Sequence, residues 1–369
     1  MARAGLGAGW RCLFANDFDR AKADAYAAAW GENGEPPPEL RVGDVGALSV
    51  GDLPQERADL AWASFPCQDL SLAGAGAGLA GERSGSFLPF YFLMRGLREH
   101  GRPPRTIVLE NVCGLLTSHG GRDFADICAM LARIGYRFGA LVIDAAEFLP
   151  QSRPRLFIVA ADRALAPAAA DGPDRRRHSP RLRDAYARLR PDLRRDWLWL
   201  ASPAPPARNT RLVDLIEGGA DAAAWHSPEE TDRLLGMMNA VNRAKVEVAR
   251  ASPGRVVGTL YKRTRVENGV KAQRAEVRFD GAAGCLRTPG GGSSRQTIIL
   301  VENGAVRTRL ISARETARLM GLPEEYPLPK RYNDAYHLTG DGVAVPVVRH
   351  IAEWIIEPML DQRTRALAA

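Results

Sequence analysis

Short apolar runs, each closed by a polar or turn-forming residue, recur along the first part of the chain: Leu60 to Ala63, Ile107 to Leu109, Phe138 to Ile143 and Leu156 to Ala161. Short runs that do not alternate read as strands buried on both faces. Between them the period changes. Phe124, Ile127, Cys128, Leu131 and Ile134 fall at helical spacing, which predicts a helix laid on the sheet. Earlier, Cys12 to Ala15 reads as a strand, Asn16 to Asp19 as the turn after it, and the Ala-rich stretch Arg20 to Trp30 as a helix. Val42 to Val45 is a second short strand end, and Phe87 to about His100 a further helix. Strands alternating with helices predict an α/β fold with a doubly wound, mostly parallel sheet.

The pattern breaks near Arg163. Residues 163–210 are rich in Ala, Pro and Arg, with nine arginines from Arg175 to Arg195. Such a run is either a solvated face or a phosphate-contacting one, with Trp197 and Trp199 beside it as stacking platforms. Val256 to Lys262, Ala275 to Phe279 and Thr297 to Val301 predict short strands of a second, smaller, mixed lobe. Among them Thr288 to Gln296 combines three glycines with hydroxyls and Arg295, a stretch that lets backbone approach a ligand closely. Ser312 and Glu315 form a capping box, and Val347, Val348, Ile351, Trp354 and Ile355 predict an amphipathic helix returning to the first lobe. The division expected is 1–164, 165–334 and 335–369.

Composition changes this picture in two respects. The net charge of +7, much of it arginine, favours a polyanionic partner. Five cysteines without a CxxC pair fit a reducing compartment, and six histidines, none at ligand spacing, give no metal site. No apolar stretch approaches the ~20 residues that span a bilayer. A cytoplasmic monomer without membrane or metal is the expectation.

Candidate chemistry gathers at strand ends. The run Leu60 to Ala63 leads into Ser64-Phe65-Pro66-Cys67-Gln68-Asp69-Leu70-Ser71, and a cysteine there is either an exposed nucleophile or a small buried hydrophobe. Gly-rich Ala73 to Gly85 suits a flap over a site. Glu110 closes the run Ile107 to Leu109, and Arg153 and Arg155 flank the run beginning at Leu156. A thiol, a carboxylic acid and two guanidiniums on one rim suit addition to an electron-poor ring. Asp17 and Asp44, also at strand ends, read either as ribose-type ligands or as helix caps.

Phe65 to Ser71, Glu110-Asn111-Val112 and Gln151 to Arg155 resemble, in order, the three signature motifs of the cytosine-C5 DNA methyltransferases. Arg309 to Tyr326 resembles the motif bounding that family's target-recognition domain, and Gly340 to Val348 its closing motif. The resemblance implies a Rossmann-like class I methyltransferase sheet with a smaller target-recognition domain. It implies S-adenosylmethionine as cofactor, double-stranded DNA as partner, base flipping, and restriction-modification alongside a cognate endonuclease. Cys67 would attack C6 of the cytosine, Glu110 would hold N3, Arg155 would contact the base, and Arg153 would support it. Asp17, Phe18, Asp44 and Val45 would hold the cofactor, with Phe65 and Pro66 nearby. Gln68 and Ser71 would touch DNA, and Arg295 and Gln296 are further DNA-contacting expectations by residue type.

Two departures stand out. Asp341 occupies the position where the closing motif has Asn, a change on the cofactor side. The family's opening strand and Phe-x-Gly-x-Gly-Gly loop have no counterpart, Met1 to Leu6 matching the helix after them. That strand would lie between those carrying Asp17 and Cys67, so a start upstream, or a fragment, is expected. The alternatives are a tRNA methyltransferase of the same fold and an inactive DNA-binding remnant.

Overall fold

The computed structural model describes residues 1–65, 87–165, 169–217, 224–267, 269–287 and 294–361. Strands form at or beside the apolar runs: β1 (Ala15–Asp17), β2 (Leu40–Val42), β3 (Leu60–Ser64), β4 (Thr106–Val112), β5 (Tyr136–Asp144) and β6 (Pro154–Asp162). β1 and β2 pair in parallel. The other four form one sheet in the order β3-β4-β6-β5. β4 lies within it and is buried from Thr106 through Asn111, as an apolar run without alternation requires.

The sheet is not mostly parallel. β3 and β4 are parallel, but β6 runs antiparallel to both β4 and β5. The connection from Asp144 to Pro154 is too short for a crossover helix, so β6 must reverse. The reversal has a functional result. Arg153 and Arg155 lie at the beginning of β6, and only an antiparallel strand brings its beginning to the rim where β3 and β4 end.

Helices cover both faces. Phe87–Glu99 and Arg122–Arg133 place Leu93, Leu97, Phe124, Ile127 and Leu131 on one side. Ala2–Leu6 and Val345–Ile351 meet on the other, where a Cβ at Gly5 would lie 2.5 Å from that of Val348. The closing helix therefore docks on the first lobe as its apolar face predicts, and continues as a π-helical turn over Ala352–Ile356. β1 and β3 are not paired with each other among the described residues.

The arginine-rich stretch also packs on the first lobe. The amide of Phe138 donates to Asp196 and that of Leu198 to Phe138, extending the sheet beyond β5. Trp197 is buried against Phe124 and Phe138, and Trp199 packs edge-on to His178. Trp197 is a core aromatic and Trp199 packs half-buried against the same core, so the pair is not an open stacking surface. Arg177 is buried too, bonding Glu147 at 2.7 Å, Ser202 and the carbonyl of Pro203.

The second lobe has its own sheet: β7 (Arg255–Glu267), β8 (Val270–Arg278), β9 (Thr297–Glu302) and β10 (Ala305–Leu310), in the order β10-β9-β7-β8 and antiparallel throughout. Helices Pro228–Gly236 and Ala240–Ala251 cover one face through Leu234 and Val246, with Met238 of the connection between them, and these pack with Leu260 and Val277. β10 has no counterpart among the predicted strands. Its turn, Asn303-Gly304, has both residues at positive φ, the two-residue hairpin signal.

Candidate active site

Strand register assembles the rim. Ser64, the last residue of β3, is directly opposite Glu110 on β4, and Val112 is opposite Arg155 on β6. The Glu110 carboxylate forms an ion pair with Arg155, Oε1 to Nε 3.1 Å, and is 5% exposed. Burial raises its pKa; Arg155, Arg153 and the Ser64 hydroxyl oppose that rise without cancelling it. The result is a carboxyl group that takes up a proton more readily than a solvated glutamate and has a guanidinium on one oxygen.

Asn111, beside Glu110, does a different job. Its Nδ2 donates to the carbonyl of Phe65 at 2.9 Å, and its Oδ1 accepts from the amide of Val112. The last described residue before Pro66-Cys67 is thus tied to the strand that carries Glu110. The Phe65 ring itself packs on Phe87, centroids 5.0 Å apart, and belongs to the core. Pro66, Cys67, Gln68, Ser71 and the Gly-rich stretch after them lie outside the described residues.

Arg153 is buried and acts as a clamp. Its guanidinium donates to the carbonyls of Leu286, Gly340 and Gly342, joining the start of β6 to the second lobe and to the closing motif. It also reaches Cys285 Sγ at 3.4 Å, and Arg155 reaches the same sulfur at 3.8 Å. Asp144 orders the turn below them, accepting from the amides of Arg153 and Ala146 and from the Ser152 hydroxyl. Gln151 is buried and bridges the lobes, donating to the Leu319 carbonyl and accepting from the Leu286 amide. Sequence reasoning passed over Asn111, Asp144, Gln151 and Cys285 as site residues. For Asp144 the signal was present, an aspartate directly after an apolar run, as at Asp17.

A second group lies at the ends of β1 and β2. Asp17 Oδ1 accepts from the amide of Asp19, and Asp19, not Asp17, caps the Arg20–Trp30 helix. Asp44 caps the short turn Val45–Ala47 through the amide of Gly46 at 2.8 Å, so the capping reading holds there in part. Asp44 is exposed, Val45 is half-buried, and the Phe18 ring is 76% exposed. The exposed Phe18 ring and the Asp17 and Asp44 carboxylates thus lie at or just beyond the ends of β1 and β2. Asp341 forms an ion pair with Lys22 at 2.7 Å, which accounts for a carboxylate at that position.

Of the two residues expected at DNA on the second lobe, Arg295 lies over the Tyr332 ring and bonds Asn333. Gln296 is buried and supports the rim from behind, its Nε2 donating to the Cys285 carbonyl. It faces inward in this structure, because its backbone leads into β9 with the side chain beneath the 283–287 segment. Among the described residues no group of His, Cys, Asp or Glu could hold a metal, and no helix is long and apolar enough to cross a membrane.

The family model for C-5 cytosine-specific DNA methylases matches residues 2–357. The chain belongs to that family. This methylase is 26% identical over 344 residues to the Type II methyltransferase M.NlaX of Neisseria lactamica, covering 93% of its own length and 88% of that relative. It is 24% identical to M.HhaI of Haemophilus parahaemolyticus over 346 residues, covering 93% and 87%. Its fold is shared with the Dnmt2 methyltransferase of S. pombe, at a TM-score of 0.53, 16% identity, and coverage of 94% and 91%. The Spodoptera frugiperda DNMT2 mutant structure matches at a TM-score of 0.58, 16% identity, and coverage of 95% and 93%.

Proposed function

We propose that this methylase adds a methyl group to C5 of a cytosine flipped out of double-stranded DNA, through a transient bond between Cys67 and C6. The observation that carries the reading is the buried Glu110–Arg155 pair. It stands on the rim where Asn111 ties down the Phe65 carbonyl, two residues before Cys67.

The Cys67 thiolate forms a bond to C6, and the C5–C6 double bond's electron pair becomes available at C5. Glu110, protonated, donates to N3 and stabilises the charge that addition sends into the ring. Arg155 holds the base, and Arg153, held by three carbonyls, keeps Arg155 and the segment bearing Cys285 in place. After methyl transfer the C5 proton is lost to a base. The electron pair of that C5–H bond forms the C5–C6 double bond as the C6–S bond breaks, and the C6–S electrons leave on sulfur as the regenerated thiolate.

S-adenosylmethionine, when bound, supplies the electrophilic methyl group. Asp17 would accept from its ribose hydroxyls, the Phe18 ring would lie against adenine, and Asp44 would accept from the adenine amino group, with Val45 beside it. The exposure of the Phe18 ring and of Asp44 fits that role. Duplex DNA as substrate is supported by the net charge of +7 and by a second lobe with its own sheet. Relatives named Type II methyltransferases support a role beside an endonuclease that cuts the same sequence when it is unmethylated.

The test is covalent trapping on duplex DNA containing 5-fluorocytosine, where fluorine blocks loss of the C5 substituent. A denaturation-resistant adduct that requires S-adenosylmethionine and disappears in Cys67→Ser is expected. Trapping on fluorocytosine tRNA but not on duplex would move the substrate to RNA. No adduct with either would leave a DNA-binding protein without this chemistry.

A further inference from the structure

The second lobe's sheet is uneven. β7 pairs with β9 only from Arg255 to Leu260, yet continues with β8 to Glu267. Beyond Leu260 the lobe therefore extends a two-stranded ribbon, Tyr261–Glu267 against Val270–Glu276, about 24 Å long at roughly 3.4 Å per residue. Val266 and Val270 are exposed at its tip. A two-stranded ribbon is one of the two elements that a major groove, about 12 Å wide, admits.

The two faces of the ribbon differ in what they leave open. On one, the Glu276 carboxylate takes up Tyr261 and Arg265. On the other, Leu260, Lys262 and Thr264 alternate along β7 opposite Val277, Ala275 and Gln273. Leu260, Ala275 and Val277 are covered by the two helices, but the ribbon outruns them, and a cleft of about 430 Å³ opens at its foot. Lys262 and Gln273 form one wall, Glu230 and Arg233 of the Pro228–Gly236 helix the other, and Ser294 and Arg295 close the end. Among the described residues the side chains of Lys262, Gln273 and Arg233 have no hydrogen bond or ion pair, in a cleft with three cations and one carboxylate.

The cleft adjoins the catalytic rim. Gln296, next to Arg295, bonds the Cys285 carbonyl, and the Cys285 sulfur touches Arg155. An element that reads sequence must sit at a fixed offset from the base being modified, and this chain of contacts supplies one.

We propose that the β7–β8 ribbon enters the major groove beside the target cytosine and that Lys262, Arg233 and Gln273 select the sequence. This rests on duplex DNA being the substrate. Lysine and arginine match guanine O6 and N7, and glutamine matches adenine N6 and N7. The recognised sequence therefore contains at least one guanine set by Lys262 or Arg233.

The test is selection by binding from a randomised duplex library, with wild type, Lys262→Met, Arg233→Gln and Gln273→Ala, and with melting curves to confirm that each variant folds. Wild type should return a consensus. At least one variant should lose preference at a single position of it, by roughly 5- to 150-fold. A wild type without consensus on duplex, variants that all keep the wild-type consensus, or weakening that is uniform across sequences would each overturn the proposal. Because the readout is binding, a consensus without fluorocytosine trapping would fault the methylation reading alone. A consensus found only on RNA would overturn this one.

Discussion

The rim where β3 and β4 end and the corner where β1 and β2 end carry carboxylates in opposite settings. Glu110 is buried, bonded to Arg155, and opposite Ser64 in register; Asp44 is exposed and braces only a short turn. Arg153 is held by three carbonyls, while Phe18 leaves its ring in solvent. A group that must hand a proton to a ring nitrogen needs low polarity around it and a fixed orientation. A group that only receives a cofactor needs an open face, because the cofactor provides the cover. Changes at the rim should therefore strike turnover and stability together, and changes at the corner should strike cofactor affinity alone.

The largest break in that comparison is Glu110→Gln. The amide keeps an oxygen for Arg155 but cannot donate an acidic proton to N3, so kcat should fall by roughly 10²- to 10⁴-fold. S-adenosylmethionine affinity, measured by calorimetry, should stay within a factor of about two if rim and corner are independent. A fall in affinity as large as that in kcat would show the two sites to be one unit.

Asn111→Ala comes next. It leaves the carbonyl of Phe65 without its side-chain donor, a loss of about 1–3 kcal/mol by chemical denaturation. It also frees the segment that leads to Cys67, so the rate of fluorocytosine trapping should drop more than DNA affinity does. Equal drops would mean that Asn111 serves binding and not the placement of the nucleophile's strand.

These two residues show how far the chain could be read before folding. The convergence of Glu110, Arg153 and Arg155 was legible because each lies beside an apolar run, and such runs end at sheet rims. The direction of β6 was not, since it depends on the length of the Asp144–Pro154 connection and not on any apolar pattern. The contact between Asn111 and Phe65 depends on the register of β3 against β4, which no local pattern encodes. Trp197 and Trp199 were misleading for a related reason. Tryptophan beside arginine is the same string of letters whether the ring stacks on a base or fills a core, and here Phe124, Phe138 and His178 decide for the core. Asn303-Gly304, a two-residue hairpin signal, could have marked β10 and was passed over.

At the corner, Phe18→Ala should do the reverse of Asn111→Ala. Removing a ring that is three-quarters exposed should change stability by less than about 0.5 kcal/mol. An aromatic contact worth about 0.5–1.5 kcal/mol would be lost, weakening S-adenosylmethionine by roughly 2- to 12-fold, with kcat at saturating cofactor preserved. Destabilisation of several kcal/mol would show that the ring supports the fold and that the corner is not a separate, open surface.

The smallest effect is a slope. Burial raises the Glu110 pKa in the folded chain, so near and above the ordinary glutamate range the folded state binds a proton that the unfolded state has released. Its favourable contribution is complete below the unfolded pKa, near 4.5, and is lost as pH rises through the folded pKa. Wild type should therefore lose stability relative to Glu110→Gln as pH climbs, whatever constant offset the substitution introduces. Unfolding temperatures of the two proteins, measured at closely spaced pH values from 4.5 upward, give that difference directly, and the Phe18→Ala curve should run parallel to wild type throughout. If the Glu110→Gln and wild-type curves ran parallel too, burial would not govern the rim carboxyl and the contrast between rim and corner would fail on electrostatic grounds. If the gap opened in the opposite sense, the arginines would outweigh burial, and Glu110 would be a carboxylate held ionised instead of an acid holding its proton.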